Sequence, residues 1–94
     1  MYVAASTHCF AEKPFAEACY LITDLEYDKI ELWMSEDSEQ LRPGRVAADP
    51  ERYFAHVRET TRLTPIAIAL AEDTTPETLS GVCRFAKLLR IAQV

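Results

Sequence analysis

Three side chains in the first third of the chain have the types and spacing to act on a ligand together: His8, Glu31 and Trp33. Glu31 stands inside the run Asp28–Asp37, DKIELWMSED, where Ile30, Leu32 and Met34 read as one buried face of a strand. Side chains alternate across a strand, so Glu31 and Trp33 project together from the opposite face. An inward carboxylate beside an indole can bind or polarise a polar ligand. A structural ion pair with Lys29, two residues away on the same face, is equally open. His8 and Cys9 fall just past the first apolar run, and in parallel α/β architectures the carboxyl ends of strands carry the site. The competing reading of His8 is a histidine in a surface loop.

Four apolar runs must position these groups: YVAAS (2–6), KIELWM (29–34), PIAIAL (65–70) and a fourth that begins at RIAQV (90–94). Between them lie three segments of helical periodicity. The first carries Phe15, Ala18, Cys19, Ile22 and Leu25 on one face. The second carries Tyr53, Phe54, Val57 and Thr61, and the third Leu79, Val82, Cys83, Ala86 and Leu89. Each is announced by a proline: Lys13-Pro14, Asp49-Pro50 and Thr75-Pro76. Proline suits the first helical position, where its missing N–H has no partner to lose, and Asp49 and Thr75 are good N-caps. The order β-α-β-α-β-α-β, with strand starts roughly 25 to 36 residues apart, predicts a parallel sheet with right-handed crossovers.

The third run alternates large and small. Ile66, Ile68 and Leu70 share one face and should meet the helices. Ala67, Ala69 and Ala71 share the other, with Glu31 and Trp33, and Ala4, Ser6 and His8 of the first run could join them. If the helices cover one side only, the small-residue face is the lumen of a barrel.

Other reactive residue types read more plainly. His56 lies mid-helix between Arg52 and Glu59 and reads as a surface residue, while Cys19 and Cys83 fall on apolar helix stripes as small core residues. Glu36, Asp37, Glu72 and Asp73 follow strands two and three as a solvated acidic rim; no spacing rule picks a metal-ligand set from them. With only Gly44 and Gly81 as glycines there is no phosphate-cradling loop, and no nucleophile motif is present. A redox role for Cys9 lacks a resolving cysteine nearby.

The chain's 94 residues allow one small domain, and 49% hydrophobic with 27% charged residues argues for a folded, soluble chain. A net charge of −5 disfavours sequence-independent nucleic-acid binding and docking on anionic lipid. Three widely spaced cysteines without a CxxC argue against a disulfide framework or zinc cluster and fit a reducing cytoplasm. MYVAASTHCF is not a signal peptide, and no run approaches the ~20 apolar residues that span a bilayer.

YVAASTHCF, DLEYDKIEL, LRPGRVAADPER, TRLTPIAIAL and CRFAKLLRI, in that order, resemble the start of sugar phosphate isomerase/epimerase proteins of the xylose isomerase-like TIM-barrel superfamily. The likeness spans essentially the whole chain, and IEL at Ile30–Leu32 matches the Val/Ile-Glu-Leu that ends the second barrel strand. The resemblance implies residues 1–94 as the N-terminal half of a (βα)8 barrel, a partial domain, since a whole barrel needs ~250 residues. It implies a metal-dependent sugar or sugar-phosphate isomerase/epimerase with His8, Glu31 and Trp33 as substrate-facing residues. Such barrels hold Mn, Mg, Co or Zn through Glu, Asp and His of later strands. No metal ligand or catalytic base is therefore assigned here, and the segment alone is expected to bind no metal and to be inactive. Four strands cannot close a barrel, so self-association through open sheet edges is expected. The rival is a stand-alone α/β binding or assembly module without catalysis.

Overall fold

A computed structural model of the chain describes residues 4–71 and 73–91. It contains β1 (Ala5–Ser6), a 3-10 turn (Thr7–Phe10), α1 (Phe15–Asp24), β2 (Lys29–Met34), α2 (Pro43–Ala48), α3 (Pro50–Thr60), β3 (Thr64–Leu70) and α4 (Pro76–Leu88). The strands form one parallel sheet in the order β1-β2-β3. The expected fourth strand reaches residues 92–94, and the expected first strand residues 2 and 3, which lie outside the described residues. Within them, Ala4 precedes β1 and Arg90 is a turn residue, so neither belongs to a strand.

The helix starts follow the predicted chemistry at two of three prolines. The Asp49 carboxylate accepts the Arg52 N–H at 3.2 Å with Pro50 opening α3, and the Thr75 hydroxyl accepts the Thr78 N–H at 3.2 Å with Pro76 opening α4. Pro14 instead sits one residue before α1, at the cap. At its far end α4 closes with a Schellman turn. The Ile91 N–H reaches the Ala86 carbonyl at 2.8 Å and the Arg90 N–H the Lys87 carbonyl at 3.1 Å. Arg90 adopts φ 61° to allow it, and the buried Ile91 supplies the hydrophobic contact.

All four helices cover the same side of the sheet. Ile30, Leu32 and Met34 of β2, each 0% exposed, and Ile68 of β3 form one core cluster with Phe15, Cys19 and Ile22 of α1. Val46, Val57, Val82 and Phe85 carry α2, α3 and α4 into the same cluster. Glu31, Trp33, Ala67 and Ala69 belong to the other face and stay partly exposed, and no helix covers them among the described residues. Sequential strand order with helices on one side is the singly wound arrangement; a doubly wound sheet reverses its strand order and is covered on both faces.

Several expectations need correction. Ile66 does not join Ile68 and Leu70 against the helices. The register jumps from Ile30 opposite Pro65 to Glu31 opposite Ala67, which leaves Ile66 as the extra residue of a bulge. Pro65 has no N–H to give the ladder, which places the irregularity there. Leu25 and Leu79, assigned to apolar stripes, are 61% and 41% exposed. Leu25 is the cap after α1 ends, and in α4 Phe85, absent from the predicted stripe, is fully buried while Leu79 is not. The long connection after β2 contains a whole extra helix, α2, which packs closely on α4.

That packing explains Gly81. A Cβ there would lie 2.5 Å from both Cα and Cβ of Ala47 and 2.9 Å from its carbonyl oxygen, so backbone meets backbone. Gly81→Ala is expected to cost about 1–3 kcal/mol through overpacking. That outweighs the ~1 kcal/mol that alanine returns in helix propensity. Urea unfolding should show a lower midpoint, which Ala47→Gly does not restore because the Ala47 Cα and carbonyl oxygen remain in the way.

Candidate ligand-facing site

The site is built where β1 stops. The Ser6 hydroxyl accepts the His8 N–H at 3.1 Å and turns the chain into the 3-10 segment. Thr7 then points into the protein, 0% exposed, and its Oγ1 accepts the backbone N–H of Trp33 at 2.9 Å. With Thr7 tied to β2 in this way, the imidazole of His8 stacks on the indole of Trp33, ring centroids 4.5 Å apart and planes 21° apart. Aromatic pairs of this separation gain about 0.5–1.5 kcal/mol beyond their buried area.

A second clamp comes from the loop after β2. Nε2 of Gln40 donates to the carbonyls of Thr7, Phe10 and Lys13 at 3.1, 2.8 and 3.2 Å. Two protons serve three acceptors, so one is shared. Oε1 of Gln40 is buried without a partner among the described residues. The loop itself is pinned to β2 by the Ser35 N–H on the Leu41 carbonyl, 3.2 Å, beside the Met34–Leu41 bridge.

Glu31 lies two residues before Trp33 on the same strand face, about 7 Å along β2. Its neighbours in register are small: Ser6 on β1 and Ala67 on β3. The ion pair considered between Lys29 and Glu31 is not formed; Lys29 pairs with Asp28 at 3.5 Å. The three sequence-selected residues therefore fall on one face. His8 and Trp33 are in contact there, and Glu31 sits deeper toward the middle of β2. The His8 side is open to solvent. What the arrangement offers is a flat aromatic surface, a carboxylate and the Ser6 hydroxyl over a floor of alanines. It can bind a polar ligand that has one flat or C–H-rich side.

The remaining candidates are spread over the molecule. Glu36 is committed to α2, where its Oε1 accepts the Gly44 N–H at 2.9 Å. Among the described residues no group of three His, Cys, Asp or Glu side chains could hold a metal ion; Glu72 lies outside them. His56 meets Phe15 and Tyr53 on the outer side of α3, with ring centroids 5.9 and 6.5 Å away. All three cysteines are free: Cys9 exposed, Cys83 half-buried and Cys19 buried. Burial pushes the Cys19 thiol up to about 11, against an opposing hydrogen bond with Thr61. No described helix is long and apolar enough to cross a membrane.

Sequence reasoning missed Thr7 and Gln40. A polar residue directly after a strand is a usable signal for Thr7, since some group must take the N–H groups of β2 that β1 leaves behind. Nothing in the sequence marks Gln40, whose partners lie about 30 residues away. Compared with protein-family models, with characterised proteins and with solved structures, the chain matches none.

Thr7→Val keeps the shape but removes the acceptor. It should cost about 1–3 kcal/mol for the unpaired Trp33 N–H and shift the emission of Trp33, the sole tryptophan. Thr7→Ser should retain both properties. The Cys19 thiol gives a second expectation. Its proton is held more tightly in the folded protein than in the unfolded chain, whose value is near 9.0. The unfolded state alone releases it between pH 9 and 11, so stability falls with rising pH across that window, by on the order of 2 kcal/mol. Cys19→Ala should show a flatter decline in urea midpoint between pH 8 and pH 11.

Proposed function

We propose that the chain supplies the opening βα units of a (βα)8-type barrel of the xylose isomerase-like kind. The complete barrel is a metal-dependent sugar or sugar-phosphate isomerase/epimerase, and His8, Glu31 and Trp33 line its substrate side. The observation that carries this reading is the stacked His8–Trp33 pair with Glu31 on the helix-free face of a singly wound parallel sheet. In a barrel that face is the lumen, and the carboxyl ends of the strands hold the site. A sugar presents a C–H-rich side to an aromatic plane and hydroxyls to a carboxylate. The free thiols of Cys9, Cys19 and Cys83 suit a reducing, cytoplasmic setting.

The described residues do not form a ligand set for the family's divalent metal. The role of His8, Glu31 and Trp33 in this reading is to hold and orient substrate. Proton transfer between adjacent carbons belongs to groups on other strands.

A second reading is favoured by the same bare face. A parallel sheet is ordinarily covered on both sides, and Trp33, Ala67 and Ala69 stay partly exposed here. The chain would then be a non-catalytic α/β module that associates with copies of itself.

Light scattering at micromolar concentration is expected to give species larger than the 10.7 kDa chain. A monodisperse single-chain species with cooperative thermal unfolding would overturn the partial-barrel reading. If Ala69→Lys, which places a charge on the bare face, converts the associated form to monomer and sugar phosphates leave Trp33 emission unchanged, the second reading is favoured.

A further inference from the structure

The amino end of the sheet, opposite the His8–Trp33 pair, carries a concavity of about 320 Å³. It lies between the last turn of α3, the following loop, the start of β3 and the end of α4. Val57, Leu63 and Leu89 give it an apolar wall, and Arg58, Arg62 and Thr64 line it as well. Two guanidinium-bearing residues thus line one mainly polar hollow in a chain whose net charge is −5.

Ordinary structural roles account for only part of this. Arg58 falls in the last turn of α3, where a cation complements the helix dipole, and it lies 5.9 Å from the Phe54 ring. Arg62 lies beyond the helix end, and among the described residues neither arginine has a carboxylate within ion-pair distance. Asp28 is nearby in the fold, since its backbone carbonyl takes the Thr64 N–H at 2.9 Å, but its carboxylate is paired with Lys29. Guanidinium groups match phosphate oxygens in bidentate geometry. The hollow presents more polar than apolar surface, and its volume reaches the roughly 300 Å³ of the smaller ligand sites.

We propose that this concavity binds a small organic phosphate monoester. The dianion sits between Arg58 and Arg62, and the organic group lies against the edges that Leu63 and Leu89 leave exposed. This proposal does not rest on the barrel reading, because it uses the other end of the sheet.

The test is an NMR titration of the isotope-labelled full chain with phenyl phosphate at low salt, with inorganic phosphate in parallel. Saturable shifts are expected in the amides of residues 61–64. The affinity should fall roughly tenfold or more in the Arg58→Gln/Arg62→Gln double variant, survive better in Arg58→Lys/Arg62→Lys, and weaken as salt rises. Both arginines are exposed, so the variants should fold, which circular dichroism checks. Absence of saturable binding at millimolar phenyl phosphate, or equal binding by the double Gln variant, overturns the proposal. Inorganic phosphate binding as tightly as phenyl phosphate overturns the role of the apolar wall.

Discussion

The central strand sets the frame for both layers. On β2, Ile30, Leu32 and Met34 are wholly buried on one side, while Lys29, Glu31 and Trp33 are held on the other. A slip of one residue would exchange the two sets, putting a carboxylate and an indole under the helices and three large apolar chains into the open. The burial of those three side chains, about 1.5–3 kcal/mol each, therefore fixes the direction in which Glu31 and Trp33 point. The placement of the candidate site follows from core packing.

The two flanking strands adapt to that frame in different ways. β3 takes an irregularity at Pro65 and Ile66 and recovers the register, so that Ala67 and Ala69 stand beside Glu31 and Trp33. β1 ends after two residues, and its place along β2 is continued by the Thr7 hydroxyl and then by Leu41 of the next loop. Donors on β2 that a longer β1 would have satisfied are met by a side chain and a loop. Ending β1 early lets the chain turn so that His8 lies over Trp33 instead of continuing along the strand.

Much of this was legible in the amino-acid order. The bounds of β2, the facing of Glu31 and Trp33, and the caps Asp49 and Thr75 follow from period-two alternation and from the chemistry of helix starts, which are local. The parallel order follows from alternating strand and helix patterns. What escaped was non-local. The six-residue α2 is too short to show a period, and it is held by Gly81 packing on Ala47 across more than 30 residues of chain. The stripe assignments of Leu25 and Leu79 failed because each lies near a helix terminus, where the helix axis no longer decides exposure. The contact between His8 and Trp33 was foreseen only as a shared face. Their stacking depends on Thr7 and Gln40, neither of which carries a sequence signal of that role.

The Gln40 clamp bears on how such a protein could be built from repeated units. His8 belongs to the first strand-and-helix unit, yet the segment that carries it is held by an amide from the loop of the second. A unit copied or transplanted by itself would keep its strand and helix but lose the orientation of its end-of-strand residue. A segment that keeps this orientation must therefore include the loop after the neighbouring strand, offset from the boundaries that secondary structure would suggest.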